Sequence, residues 1–214
     1  MRNKDDYHHR GKRKKMVEGL IKKGISDQRV LDALLEIPRH FFIDSAFSKL
    51  IYEDKAFPIG SDQTISSPFT VAYQSQFLEV EKRLKILEVG TGSGYQAAIL
   101  AQLGGRVYTV ERQGKLFSKT SEFLKKISPG VRCFYRDGFL GLPEFAPFDR
   151  IIVTAGATDI PEALKSQLAI GGKMVIPVGE KTQRMIRITR QADSKFRIEK
   201  LENFRFVPFL KGKV

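Results

Sequence analysis

Hydrophobic and polar positions along this chain follow two different periods, and the changes between them divide it into three parts. Up to residue 80 the spacing is helical. Met16, Val17, Leu20 and Ile21 recur at the intervals of one helix face, which predicts a helix over 12–23 stopped by Gly24. Val30, Leu31, Leu34 and Leu35 predict a second helix, capped by Ser26 and ended by Pro38. From 84 to 180 short apolar runs alternate with amphipathic ones. Strands are predicted at 85–89, 106–110, 131–135, 149–154 and 173–178, with helices over 94–103, 113–127 and 161–168 between them. Strands alternating with helices imply a parallel sheet with right-handed crossovers. Beyond 181, Met185–Arg190 and Lys195–Leu201 alternate apolar with polar around a turn at 191–194, the pattern of an antiparallel hairpin with one wet face. The expected fold is α/β: a mostly parallel seven-stranded sheet, finished by a C-terminal antiparallel hairpin and preceded by N-terminal helices.

Two stretches fit neither period, and they carry the candidate chemistry. The first is Phe57–Phe69, FPIGSDQTISSPF, with prolines near both ends and small polar residues between, which reads as a long loop. Ser67 and Pro68 then read as the N-cap and first residue of a helix running to about Glu79. Ser66 falls just outside that helix start, where free N–H groups and the helix dipole favour an anion; plain capping is the competing reading of both serines. The second stretch is KILEVGTGSGY, Lys85–Tyr95, a strand running into Gly90, Gly92 and Gly94 and then into a helix. Such a turn lets backbone approach a ligand closely. The dinucleotide fingerprint GxGxxG would need glycine at 95, where Tyr95 stands, so the motif favours a smaller adenosyl ligand.

Ligands of open parallel sheets bind beyond the carboxyl ends of the strands. Those ends carry Glu88 and Gly90, then Glu111, Asp137 and Thr154. Glu111 follows Gly90 by 21 residues, the place from which an acid accepts both hydrogen bonds of a ribose diol. Asp137 can accept from an exocyclic adenine amine. A row of acids, with no Lys or Arg in the glycine turn, argues against a phosphate-bearing ligand and fits an adenosine with a positive appendage, S-adenosylmethionine. His40, in PRHFF, could serve as a base, but no orienting carboxylate pair stands near it in sequence, so a packed, hydrogen-bonded histidine is the favoured reading.

Composition narrows the setting. The single Cys133 excludes a disulfide framework and a cysteine-based zinc site, and no metal site is expected. No stretch approaches the roughly 18 apolar residues of a membrane span, and the first residues lack the apolar core of a signal peptide, so a cytoplasmic protein without membrane attachment is expected. The formal charge of +13 is uneven: residues 1–15 hold seven Lys/Arg against two Asp, and residues 181–214 ten against three acids. With the charge at the two ends, away from the glycine turn, solvated surfaces are the favoured reading over a nucleic-acid site. Residues 1–11 are expected to form a basic, flexible extension. Residues 12–214 are expected to form one domain: N-terminal helices and active-site loop (12–80), cofactor-binding core (84–180) and C-terminal strands (181–214).

The segments PIGSDQTISSPFTVA (58–72), ILEVGTGSGYQAAILA (86–101), FDRIIVTAGA (148–157), GGKMVIPVGE (171–180) and FRFVPF (204–209) together resemble protein-L-isoaspartate O-methyltransferases, across roughly residues 12–210. The glycine motif alone would indicate only a class I methyltransferase; the QTIS-x-P motif ahead of it is far more specific. The resemblance implies a Rossmann-like methyltransferase sandwich that binds S-adenosyl-L-methionine and releases S-adenosyl-L-homocysteine. It implies cofactor binding by Gln63, Thr64, Ile65, Glu88, Gly90, Thr91, Gly92, Glu111, Arg112, Asp137, Gly138 and Thr154. Ser66 is implied as the catalytic residue, with Ser66, Ser67, Val207 and Pro208 flanking the substrate. The partners implied are isoaspartyl-containing proteins and peptides, with no specific nucleic acid, and a monomer is expected.

The chemistry agrees with a site lacking an evident His or Lys. An isoaspartyl residue exposes an α-carboxylate with a reference pKa of about 3.5, already ionised at neutral pH. Methyl transfer from a sulfonium to that carboxylate neutralises both charges and needs no general base. The Ser66 hydroxyl and the amides opening the 68–79 helix are the expected carboxylate holders. Two other readings remain: a class I methyltransferase acting on RNA or a small molecule, suggested by the charge but lacking an NPPY-type or cysteine-nucleophile motif, and a non-catalytic cofactor-binding scaffold acting through its basic ends.

Overall fold

The computed structural model describes residues 5–47 and 50–214. Seven strands form the central sheet: β3 (Lys85–Val89), β4 (Arg106–Glu111), β5 (Arg132–Tyr135), β6 (Phe148–Val153), β7 (Leu168–Val178), β8 (Gln183–Ala192) and β9 (Lys195–Phe204). Their spatial order is β5-β4-β3-β6-β7-β8-β9. Strands β3 to β7 run parallel to their neighbours, and β7–β8 and β8–β9 pair antiparallel. This is the expected mixed sheet. The order reverses between β3 and β6, and a ligand crevice belongs at that switch point. Register sets its floor, because Val89 pairs with Val110 on one side and Val153 on the other. Gly90, Glu111 and Thr154 therefore leave the sheet at one level.

The central parallel strands β3 and β6 are buried on both faces, which accounts for their apolar runs, whereas the edge strand β5 is only partly covered. Ile86, Val107, Ile152 and Val175 face one hydrophobic cluster, shared with the helices α1 (Tyr7–Lys22), α2 (Gln28–Glu36), α3 (Pro68–Leu78) and α4 (Tyr95–Gln102). Leu87, Val89, Ile151, Val153 and Met174 face the other, closed by Leu164 of α6 (Glu162–Ser166). Each such side chain is worth about 1.5–3 kcal/mol relative to exposure. Helix α5 (Gly114–Ile127) adds Leu124 to the first cluster. Glu79, left-handed at the end of α3 (φ 52°), pairs with Lys173 and, at 2.6 Å, with Arg187, latching α3 to β7 and β8.

Four differences from the expected elements have local causes. Helix α1 begins at Tyr7, not 12, so residues 7–11 of the expected loose extension are its first turns; residues 1–4 lie outside the described residues. Asp6 caps it by accepting from His9 N. Arg13, only 5% exposed, pairs with Asp5 at 2.8 Å, and His9 stacks on His40 at 3.9 Å. Helix α2 is capped by Asp27, accepting from Arg29 N, and not by Ser26, whose own amide donates to Gln76 Oε1. The 57–69 loop contains a small hairpin of β1 (Phe57–Gly60) and β2 (Gln63–Ile65), whose turn puts Ser61 and Asp62 at φ 52° and 53°. Finally, α6 stops at Ser166 and β7 begins at Leu168, five residues ahead of the predicted strand. Among the described residues no helix is long and apolar enough to cross a membrane.

Candidate functional site

A cleft opens at the switch point, walled by residues from three remote parts of the chain: 63–66 of the hairpin, 90–93 of the glycine turn and 207–210 of the C-terminal segment. The glycine turn forms its floor. Gly90 N and Thr91 N both donate to Val110 O, and Gly90 sits at φ 100°, a region that other residues avoid. A Cβ there would lie 2.5 Å from Thr154 Oγ1, which donates to Gly90 O at 2.7 Å. Beneath Gly92, Thr120 donates to its carbonyl at 2.7 Å. Above it, a Cβ would lie 3.4 Å from Ile59 Cδ1, so the β1–β2 hairpin roofs the turn.

Glu111 is held open toward the cleft. Its Oε2 accepts from Gly92 N at 2.8 Å and its Oε1 from Gln113 N at 2.9 Å. Each oxygen keeps lone pairs for a ribose diol. Gly138 closes the far side, where a Cβ would meet Val89 Cγ1 at 2.5 Å and Phe209 Cε2 at 3.0 Å. The segment bearing Val207 and Pro208 is pinned at the end of β6, with Gly156 N donating to Val207 O and Phe209 N to Gly156 O.

Of the residues expected from the sequence, Gln63, Thr64, Ile65, Ser66, Gly90, Thr91, Gly92, Glu111, Arg112, Gly138, Thr154, Val207 and Pro208 line this cleft. Glu88, Asp137 and Ser67 do not. Asp137 is anchored by backbone: its Oδ1 accepts from Phe139 N at 2.9 Å, capping a 3-10 turn, and its Oδ2 from Gly212 N at 2.8 Å, and each oxygen, like those of Glu111, keeps further acceptor capacity. Arg112 lines the cleft but spends its guanidinium on the same tail, donating to Gly212 O and Lys211 O. Ser67 is the N-cap of α3, with its Oγ accepting from Thr70 N.

The start of α3 also departs from the expected anion site. Phe69 N donates to Asp54 Oδ1 at 2.8 Å, and Asp54 Oδ2 in turn pairs with Lys23 at 2.5 Å. The anion favoured by the helix dipole is thus the chain's own Asp54. With Thr70 N taken by Ser67, the helix amides expected to hold an acceptor carboxylate are already engaged, and the Ser66 hydroxyl is left as the side-chain donor there.

Glu88 lies one pleat below the cleft floor, fully buried. Burial, reinforced by Glu111 on the next strand, pushes its carboxyl up to about 8. It therefore stays protonated at neutral pH in the folded chain while an unfolded chain releases the proton. Folding stability should fall as pH rises from the unfolded value of 4.5 toward 8 and level off above it. Comparing Glu88→Gln with wild type by chemical denaturation isolates this group. The advantage of the glutamine protein should grow by about 1.4 kcal/mol per pH unit across that window; a difference independent of pH would refute the buried protonated acid.

His40 is packed, as favoured from the sequence. Its Nδ1 lies 2.6 Å from Tyr52 Oη, and burial, with His9 alongside, pushes it down to about 4, so it is neutral at pH 7. Cleft residues that the sequence did not single out include Tyr95, Gln96, Phe209 and Leu210. Phe209 and Leu210 could have been found by their adjacency to Val207-Pro208. Tyr95 fills the place of the missing third glycine, its ring 5.2 Å from that of Phe42.

A glycine cradle without lysine, an acid beside it at the end of the next strand, and a mostly parallel sheet with an antiparallel hairpin define a class I methyltransferase using S-adenosylmethionine. The family model described as protein-L-isoaspartate(D-aspartate) O-methyltransferase matches residues 11–214. A protein-L-isoaspartate O-methyltransferase of Christiangramia forsetii is 53% identical over 213 residues, covering 98% of this chain and 99% of the relative. One of Flavobacterium johnsoniae is 54% identical over 211 residues, with coverage of 98% and 99%. Among solved structures, a Plasmodium falciparum chain assigned to the same activity and crystallised with S-adenosyl-L-homocysteine superposes with a TM-score of 0.82 at 27% identity, covering 93% of this chain and 98% of that one. The chain belongs to the protein-L-isoaspartate(D-aspartate) O-methyltransferase family.

Proposed function

We propose that the chain binds S-adenosyl-L-methionine across the glycine turn and methylates the free α-carboxylate of L-isoaspartyl residues in damaged proteins and peptides, the step that initiates their repair. The observation that carries this is the placement of Ser66. It stands at the end of the hairpin that roofs the glycine turn, on the wall of the same cleft as Glu111 and Gly90.

The cofactor supplies an electrophilic methyl group on a sulfonium. The chain's residues bind, orient and exclude water. Glu111 accepts from the ribose, the bare backbone of Gly90 and Gly92 admits the donor closely, and the hairpin covers it. The Ser66 hydroxyl donates to one oxygen of the acceptor carboxylate, leaving the other to face the methyl. Val207 and Pro208 flank the peptide. No proton has to move, and among the described residues no His or Lys lines the cleft. Placement of this kind can contribute up to about 7–11 kcal/mol.

The test offers labelled S-adenosylmethionine with an isoaspartyl peptide, its normal aspartyl isomer and bulk RNA. Label should enter the isoaspartyl peptide alone and be released by base, because the product is a methyl ester. Labelling of RNA, or of both peptides equally, would overturn the assignment. Cofactor binding without any transfer would favour the scaffold reading.

A further inference from the structure

A buried charge stands directly behind Ser66. Arg39, in the 3-10 turn after α2, is fully buried. Among the described residues no carboxylate lies within ion-pair distance of it; its Nε and Nη2 go to backbone carbonyls instead. Nη2 donates to Ser66 O at 2.6 Å and reaches Lys55 O at 3.4 Å, and Nε donates to Ile51 O at 3.1 Å. The guanidinium carbon lies 5.0 Å from the ring centroid of Tyr95, whose residue, like Ser66, lines the cleft. Asp54, the acid in its surroundings, is engaged by Lys23 and Phe69 N.

Burying an arginine without a counter-ion costs several kcal/mol, and a fork shared among carbonyls repays part of that in geometry. Three carbonyls from two segments, the 51–55 turn and Ser66, converge on one planar group, a task for which arginine's fixed fork is suited and lysine's single ammonium is not. Burial lowers Arg39 to about 10, which leaves it charged at neutral pH. The site in front of it must accept a carboxylate.

We propose that Arg39 is a positioning residue for methyl transfer: it fixes the Ser66 backbone from behind and sets a positive charge, without a direct ion-pair partner among the described residues, at the wall where the acceptor carboxylate is held. The charge favours the anionic acceptor, and the fork holds the Ser66 hydroxyl in line. Arg39 itself does not touch the substrate. This rests on the reading of Ser66 given above.

Arg39→Lys and Arg39→Met separate the two contributions. Each is compared with wild type and with Ser66→Ala in melting temperature, S-adenosylhomocysteine affinity by calorimetry, and kcat and KM for an isoaspartyl peptide. Lysine keeps the charge and loses the fork, so kcat should fall about tenfold with KM little changed. Methionine loses both, so KM should also rise about tenfold or more. Cofactor-product affinity should stay within about threefold in both, since Arg39 is not part of the cofactor floor. Wild-type kcat and KM in either variant would overturn the proposal, as would a parallel loss of cofactor-product affinity. Failure of both to fold would assign Arg39 to the frame alone and also overturn it. If Ser66→Ala is itself unimpaired, the reading of Ser66 fails; an impaired Ser66→Ala beside unimpaired Arg39 variants defeats only the role of Arg39.

Discussion

Glu111→Ala is expected to weaken binding of S-adenosylhomocysteine about 100-fold or more, on the basis of two lost charge-assisted hydrogen bonds worth about 1.5–3 kcal/mol each. The size of the effect follows from the double use of the carboxylate. Each oxygen already accepts a backbone N–H, from Gly92 and from Gln113, so the side chain is aligned before any ligand arrives. Removing it deletes the ribose acceptor and also frees the Gly92 amide on which the turn is built. Calorimetry on the purified variant measures the loss, and far-ultraviolet dichroism checks that the sheet survives. Glu111→Gln keeps the volume but sets an NH2 group against one of two N–H donors, so it should lose nearly as much. Affinity within a few-fold of wild type in both variants would remove Glu111 from the ribose site.

Ser66→Ala is expected to lower turnover of an isoaspartyl peptide by roughly 100-fold, through loss of the group that places the acceptor in line with the methyl, while the affinity for S-adenosylhomocysteine stays nearly unchanged. The separation arises because Ser66 joins the rest of the protein through its backbone: its carbonyl accepts from Arg39, and among the described residues no hydrogen bond of the hydroxyl holds the fold in place. The helix behind it does not depend on the hydroxyl either, since Ser67 is the cap. Single-turnover kinetics with saturating peptide distinguishes poor placement from poor binding. Equal loss of turnover and cofactor affinity, or loss of neither, would count against the role.

What could be read from the sequence was what is local. The central strands β3 and β6 are largely apolar on both faces, and the glycine turn announces itself because strand, glycines and helix are contiguous. The hairpin over 57–65 was hidden because Pro58, Gly60 and a run of small polar residues give no alternation, and its turn is made by the non-glycine residues Ser61 and Asp62. Residues 7–11 carry no apolar stripe. They are helical because Arg13 finds Asp5 and His9 finds His40, and the second of these pairings joins distant parts of the chain. The site was legible to the same extent. Glu111 could be placed by counting from Gly90. Asp137 could be placed at a strand end, but not its capture by Gly212, 75 residues later. Asp54 and Arg39, which shape the start of α3 and the Ser66 loop, have no local signature at all.

The walls of the cleft come in large part from stretches near residues 63, 90 and 207, which are remote from one another in sequence. A donor molecule lodged among them acts as a removable staple through the whole chain. Because it binds only the folded form, it adds about 2.7 kcal/mol of stability at a concentration 100 times its dissociation constant. The heat resistance and lifetime of this repair enzyme are thereby tied to the supply of its own methyl donor. Starvation for that donor leaves the catalyst both idle and easier to unfold, and so exposed to the same ageing that it exists to reverse in other proteins.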